Sequence, residues 1–258
     1  MAKQNRNAEK FRALHVPGKP LVLFNAWDAG SAKAIAKSGA QAIATSSWAV
    51  ADANGFADGE HVPLALAIDN LRRIVTGTDL PVTLDLESGY GDAPDAVGET
   101  IRLAIDAGAI GCNLEDSFPA TGKLRQTVDQ IDRIRRARQI GDAAGISFFV
   151  NARTDVFFQE RAEQHDEAMV GEAIDRARKY AEAGADGIFA PGLVNVTLIG
   201  RIAEASSLPL NIMVSDASPS LAALAERGVA RISYGPRPYL MAMKALEERA
   251  RAASALAK

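Results

Sequence analysis

Two carboxylates, Asp85 and Glu87, stand one residue apart where the alternating run Val82 to Leu86 gives way to Ser88, Gly89 and Gly91. If strand geometry persists to Glu87, both side chains point to the same side, roughly 6.5–7 Å apart along the backbone. That spacing suits a hydrated divalent cation, and the two glycines let the chain turn sharply around an ion or a ligand. A solvated turn after a strand is the alternative reading of the same residues. A third carboxylate, Glu115, closes another short apolar run, GCNLE. Bringing Asp85, Glu87 and Glu115 together without a cation raises at least one pKa by mutual repulsion. A bound Mg²⁺ or Mn²⁺ relieves it, because all-oxygen ligands fit those ions; His15, His61 and His165 fall in the N-terminal segment and loops, away from these positions. Three independent surface carboxylates are the plain alternative.

What must position these groups is a repeated strand-and-helix rhythm. Strands are expected at Pro20–Ala26, Ala42–Ser46, Val82–Leu86, Gly111–Glu115, Phe148–Asn151, Gly187–Ala190, Leu210–Met213 and Ala230–Ser233. Helices follow at about Ala29–Lys37 (capped by Asp28), Pro63–Val75, Asp95–Ala107, Thr127–Ala144, Glu167–Ala183, Asn195–Ser206, Ser218–Arg227 and Pro238–Ala257. Gly39, Gly108, Gly184 and Gly228 sit where helices should stop in the left-handed conformation. Eight such units in one domain of 258 residues match a (β/α)₈ TIM barrel better than an open doubly wound sheet, and no GxGxxG follows the first strand. The domain is expected to span 1–258, with an N-terminal segment at 1–19 and a terminal helix at 238–258.

In a barrel the active site lies at the C-terminal ends of the strands. Those ends supply Asn25, Trp27 and Asp28; Thr45, Ser46, Ser47 and Trp48; Asp85 and Glu87; Glu115 and Asp116; Asn151, Arg153 and Asp155; Asn211; and Ser233 and Tyr234. Arg153 can clamp an anion, since a guanidinium holds a carboxylate or phosphonate through two parallel hydrogen bonds; a salt bridge to Asp155 or Glu115 is its structural alternative. Ser46, Ser47 and Trp48 offer amides and hydroxyls to a substrate carboxylate, or form a Ser/Thr-rich turn. Asn211 is a further substrate-binding candidate. Cys112, inside an apolar strand, reads as an inert core thiol.

Composition narrows the partners. A net charge of -3 with 24% charged residues makes no broad positive field. The dense basic run Arg133 to Arg138 also carries apolar residues at helical spacing, so nucleic acid is not an expected partner. A single cysteine, a start without the apolar core of a signal peptide, and no apolar run near the ~18–20 residues that cross a bilayer point to a cytoplasmic protein with no membrane partner.

The segments ATSSWAVADANGFADGE, TLDLESGYGD, GCNLEDS and FFVNARTD, in this order and at these barrel positions, resemble the isocitrate lyase/phosphoenolpyruvate mutase superfamily, from about Leu21 to Leu246. The resemblance implies a Mg²⁺ enzyme that holds a small anionic 2-oxo acid or its enolate. It makes Asp85 the closest metal ligand, with Glu87 and Glu115 holding metal-bound waters. Ser46, Ser47 and Trp48 match the turn whose amides receive the substrate carboxylate; Asp58, a catalytic candidate, matches an acidic residue near the metal site, and Arg153, another, the arginine on the substrate's anionic groups. Glu87 stands where many members have Asp, and Ser47 where many have Gly.

The loop after strand four departs most. Lyases of the family carry a lid whose Cys is the acid/base, whereas this chain reads EDSFPATGKLRQ, with neither Cys nor His. Isocitrate or methylisocitrate cleavage by that mechanism is not expected. Phosphonate-handling members have an Asn-Ser pair after Phe-Pro; here Phe118-Pro119 is present without it, leaving Thr121, Lys123 and Arg125 as polar lid residues, with Lys123 and Arg125 the catalytic candidates. The implied chemistry is making or breaking a C–C or P–C bond beside a 2-oxo acid. A hydrolase or decarboxylase on the same scaffold and a non-catalytic 2-oxo acid-binding barrel are the rivals. Family members commonly form tetramers by exchanging the last barrel helix, so a homodimer or homotetramer is expected.

Overall fold

The computed structural model describes residues 2–255. Each apolar run forms a short strand: β1 (Leu21–Leu23), β2 (Ile43–Ala44), β3 (Val82–Asp85), β4 (Gly111–Glu115), β5 (Phe149–Arg153), β6 (Gly187–Phe189), β7 (Leu210–Met213) and β8 (Arg231–Ser233). They pair in parallel in the order β1-β8-β7-β6-β5-β4-β3-β2, and a parallel bridge from Ala26 to Thr45 joins the two ends of the sheet. The result is the expected single-domain (β/α)₈ barrel. β4 is buried at every position, as a strand covered on both faces must be. Cys112 lies within it, and burial pushes its thiol pKa up, as befits an inert core group.

The outer helices are α2 (Ala29–Lys37), α4 (Leu64–Thr76), α5 (Pro94–Asp106), α6 (Thr127–Ala143), α7 (Glu167–Glu182), α8 (Val196–Ala205), α9 (Leu221–Glu226) and α10 (Arg237–Ala255). Asp28 caps α2 as expected, its carboxylate accepting from the Ser31 amide at 2.7 Å. Gly39, Gly108, Gly184 and Gly228 all adopt positive φ, and at Gly108 an added Cβ would lie 2.7 Å from Val75. The connection after β2 is not wholly irregular, since it contains α3 (Ser47–Ala53), capped by Ser46. Ala257, the expected end of the terminal helix, lies outside the described residues. Among the described residues, no helix is long and apolar enough to cross a membrane.

The polar N-terminal segment folds as α1 (Ala2–Ala13) near the N-terminal end of β5. Phe11 packs edge-on against Phe149 with centroids 5.3 Å apart, and Gln4 donates to the Ile105 and Ala109 carbonyls at 2.8 Å. Only Ala8 and Phe11 of α1 are buried, so little in the sequence announced a docked helix. Next to it, His15 stacks on Phe149 at 4.3 Å, and burial, then the nearby Arg231 charge, lower its pKa to about 3. The unfolded chain therefore takes up a proton near pH 6.5 that the folded chain refuses. Stability from this group is full above pH 6.5 and falls as pH drops towards 3, by about 2 kcal/mol at pH 5. His15→Leu should shrink the difference between melting temperatures at pH 7.5 and pH 5. An unchanged difference would mean that other groups set the acid sensitivity.

One side of the barrel is thinly covered. Val22, within β1, and Phe24, just after it, are 41% and 37% exposed. The final helix, α10, buries only Pro238 and Tyr239.

Candidate active site

Asp85 ends β3, where its side chain meets groups from two neighbouring elements. Its Oδ2 accepts from the Ser47 amide at 3.1 Å and the Ser47 hydroxyl at 2.9 Å. Its Oδ1 accepts from the Asn113 side chain at 3.2 Å. Asn113 is held in turn by Asn151 at 2.9 Å and by the buried guanidinium of Arg231 at 3.2 Å, both donating to its Oδ1. Because arginine can only donate, the Asn113 amide must present its NH₂ to Asp85.

Glu87 does not continue the strand. β3 stops at Asp85, and Glu87 has φ 53°, a left-handed turn that swings its carboxylate sideways. The same-side pairing expected of the two acids is thereby corrected. Glu87 Oε2 instead accepts from the amides of Gly59 and Glu60 at 2.8 and 2.7 Å. Burial, then the neighbouring Asp58 charge, raise its pKa to about 7 despite those two amides. Asp58 lies more openly on the cleft wall, and partial burial together with Asp85 raises its pKa as well.

Glu115, at the end of β4, pairs with Arg153 at the end of β5; Nη1 and Oε2 are 2.8 Å apart. Arg153 is also gripped side-on by Asp155, through Nε at 2.6 Å and Nη2 at 3.1 Å. Burial opposes the Arg153 charge, but Asp155 and Glu115 outweigh it and hold the guanidinium firmly ionised. Burial raises the Glu115 pKa against the pull of Arg153. Of the two alternatives open in the sequence the structure shows the salt bridge, made to both acids, and it places Arg153 on the cleft wall.

The lid over this cleft is a small hairpin, bridged from Ser117 to Leu124, with the Phe118 amide donating to the Lys123 carbonyl at 2.9 Å. Its base is fixed by Asp116, fully buried, which accepts from Tyr180 at 2.7 Å and from Arg176 at 3.1 Å. Ser117 donates to Asp155 at 2.6 Å.

A cleft of about 220 Å³ gathers Ser47, Asp58, Glu87, Glu115 and Arg153 with Ser117, Phe118 and Pro119 of the lid. Asp85 lines the adjoining crevice that shares Ser47 and Glu87. Five other expectations are relocated. Ser46 is buried as the α3 cap, and Trp48 packs towards Tyr239 at 6.1 Å. Asn211 lies inside the barrel, donating to Ser233 at 3.3 Å. Lys123 is exposed on the lid. Arg125 turns away from the cleft, its guanidinium 4.0 Å from the Phe118 ring and 2.7 Å from Asp92, because the hairpin buries it under its own base. Sequence reading missed Ser117, Gly59 and Asn113. Ser117 could have been found as the polar residue just past the β4 carboxylate, whereas Gly59 carries no local signal.

The donor set suits a hard divalent cation. Asp58, Glu87 and Glu115 line the cleft with Arg153, and Asp85 lines the crevice beside it; burial first, then mutual repulsion, raises the pKa of Asp58 and Glu87. Among the described residues, no three acidic, imidazole or thiol side chains converge closely enough to grip an ion alone. An ion held here would need water to complete its shell, which suits Mg²⁺.

The profile of the phosphoenolpyruvate phosphomutase family matches residues 11–254. A solved structure from Burkholderia cenocepacia J2315, provisionally described as a phosphonomutase, is 56% identical, with a TM-score of 0.95 over 97% of this chain and 99% of that one. An uncharacterized protein of Mycobacterium tuberculosis is 34% identical over 244 residues, 95% of this chain and 88% of that protein. The 2-methylisocitrate lyase of Salmonella typhimurium is 28% identical over 221 residues, covering 82% and 72%. The chain therefore belongs to the phosphoenolpyruvate phosphomutase family, within the isocitrate lyase/phosphoenolpyruvate mutase superfamily.

Proposed function

We propose that the protein is a Mg²⁺-dependent enzyme (Mn²⁺ being the other candidate ion) that makes or breaks a C–C or P–C bond next to the carbonyl of a 2-oxo acid, by way of its enolate. The observation that carries this reading is the gathering of Asp58, Glu87, Glu115 and Arg153 in one lidded cleft, with Asp85 in the crevice that adjoins it. Asp85, with Glu87 and Glu115 acting through water, would hold the ion. When bound, the ion would supply positive charge to stabilise the oxyanion that develops at C2. Arg153, braced side-on by Asp155, orients the substrate's anionic end without having to reorganise. The lid contributes Ser117, Phe118 and Pro119 to the wall and limits water, but it offers no thiol or imidazole as acid/base. A proton must then come from a cleft carboxyl, and Asp58, exposed with a raised pKa, is the group best placed to carry one.

Turnover of oxaloacetate, phosphonopyruvate and 2-methylmalate-type acids, each with and without Mg²⁺, tests the reading. Mg²⁺-dependent cleavage of one of them is expected. If oxalate with Mg²⁺ raises the melting temperature while no acid is consumed, the protein is a binding barrel and the catalytic reading fails.

We also propose that copies of the chain associate through α10. Leu240, Met241 and Leu246 leave an apolar face on that helix, and Val22 and Phe24 leave another beside β1, so a second copy's helix can cover both. Light scattering should give at least a dimer mass, and Met241→Glu with Leu246→Glu should lower it. A monomeric wild type would refute the association.

A further inference from the structure

We infer that Glu60, on the exposed loop before α4, is a positioning residue that latches the Asp58-bearing flap onto the exit of β3; this rests on the reading that Asp58 works in the cleft. The latch is reciprocal. Glu87, just past β3, accepts from the flap amides of Gly59 and Glu60 at 2.8 and 2.7 Å. Glu60, on the flap, accepts with Oε1 from the Ser88 hydroxyl at 2.8 Å and the Tyr90 amide at 2.7 Å. Each carboxylate thus satisfies two donors on the other segment, and charge-assisted bonds of this kind are the stronger ones.

The two sides of the latch are not equivalent. The β3-exit turn is a fixed post: the buried Arg133 side chain of α6 donates to the carbonyls of Gly91 and Asp92 at 2.8 Å each, and to that of Ser88. On the flap Val62 is buried, but among the described residues no side chain from another element donates to its carbonyls. Among the described residues, its backbone from 57 to 62 is tied to the rest of the barrel by the Gly59 and Glu60 amides alone. Glu60, Glu87 and Tyr90 are the non-glycine residues with positive φ among those described, at 64°, 53° and 57°. All three belong to this one node. Such a conformation is costly for a residue with a Cβ, and it persists only where surrounding contacts over-determine it. The contacts that do so here are the two carboxylates. Asp58 immediately precedes the latched amides, so the latch sets where its carboxylate stands relative to Arg153 and Glu115 in the same cleft.

Hydrogen exchange, read on the protein without metal or acid, tests the latch directly. In Glu60→Ala the amides of Gly59 and Glu60, which donate to Glu87, should exchange at least tenfold faster, while those of the barrel strands stay unchanged. Glu60→Gln keeps an acceptor at Oε1 and should return most of the protection. On whichever acid the wild type turns over, Glu60→Ala should lower kcat about tenfold or more, yet cause no further loss in an Asp58→Ala background, because positioning through Asp58 makes the two effects non-additive. Unchanged exchange in Glu60→Ala, or losses that multiply in the double variant, would overturn the proposal. If the wild type turns over none of the acids, the catalytic reading fails and the exchange result alone decides the latch.

Discussion

Asp85→Ala is expected to abolish Mg²⁺-dependent turnover, with a loss of at least about a hundredfold, or ~2.7 kcal/mol of transition-state stabilisation. Asp85 is the acid that neighbouring groups orient from both sides, Ser47 on one oxygen and Asn113 on the other. The fold should survive, because the substitution removes a negative charge from a crowd of them and the freed Ser47 hydroxyl can meet water. Glu87→Asp makes a useful companion. It keeps a carboxylate for the ion's water shell, but is one methylene too short to reach the Gly59 and Glu60 amides as Glu87 does. Partial activity with a loosened flap is expected. Calorimetric titration with Mg²⁺ decides the matter: if Asp85→Ala binds the ion as tightly as the wild type, Asp85 is not its ligand and the central reading falls.

For Arg153, two substitutions should separate binding from support. Arg153→Lys keeps a positive charge near Glu115 and Asp155 but loses the planar fork, so it should weaken oxalate binding in the presence of Mg²⁺ by about 1.5–3 kcal/mol while leaving the protein folded. Arg153→Met removes the charge altogether and leaves two largely buried carboxylates unpaired, which should cost about 3–5 kcal/mol of stability. Thermal melts and oxalate titrations on both variants read the two effects apart. If the lysine variant binds oxalate undiminished, Arg153 is a brace for the two acids and another group must hold the substrate anion.

Much of the architecture was legible in the chain itself. The recurrence of apolar runs, helix stops at Gly39, Gly108, Gly184 and Gly228, and the Asp28 cap are local properties, set by periodicity and backbone preference within a few residues. Once they specify a parallel barrel, the position of the site follows, because carboxylates at the ends of β3 and β4 and an arginine at the end of β5 converge on one rim. Tertiary structure alone decided where the side chains past the strand ends point. Glu87 left the β3 direction because amides from another loop, 27 and 28 residues earlier, were there to receive it. Arg125 became a support for the lid hairpin because Phe118 and Asp92 surround it, and Asn211 turned to Ser233 inside the barrel. The docking of α1 and the bare face of α10 belong to the same class. Hydrophobic periodicity reports which face of an element is buried, but the partner of a single polar group depends on chain segments far away in sequence, and only folding brings those together.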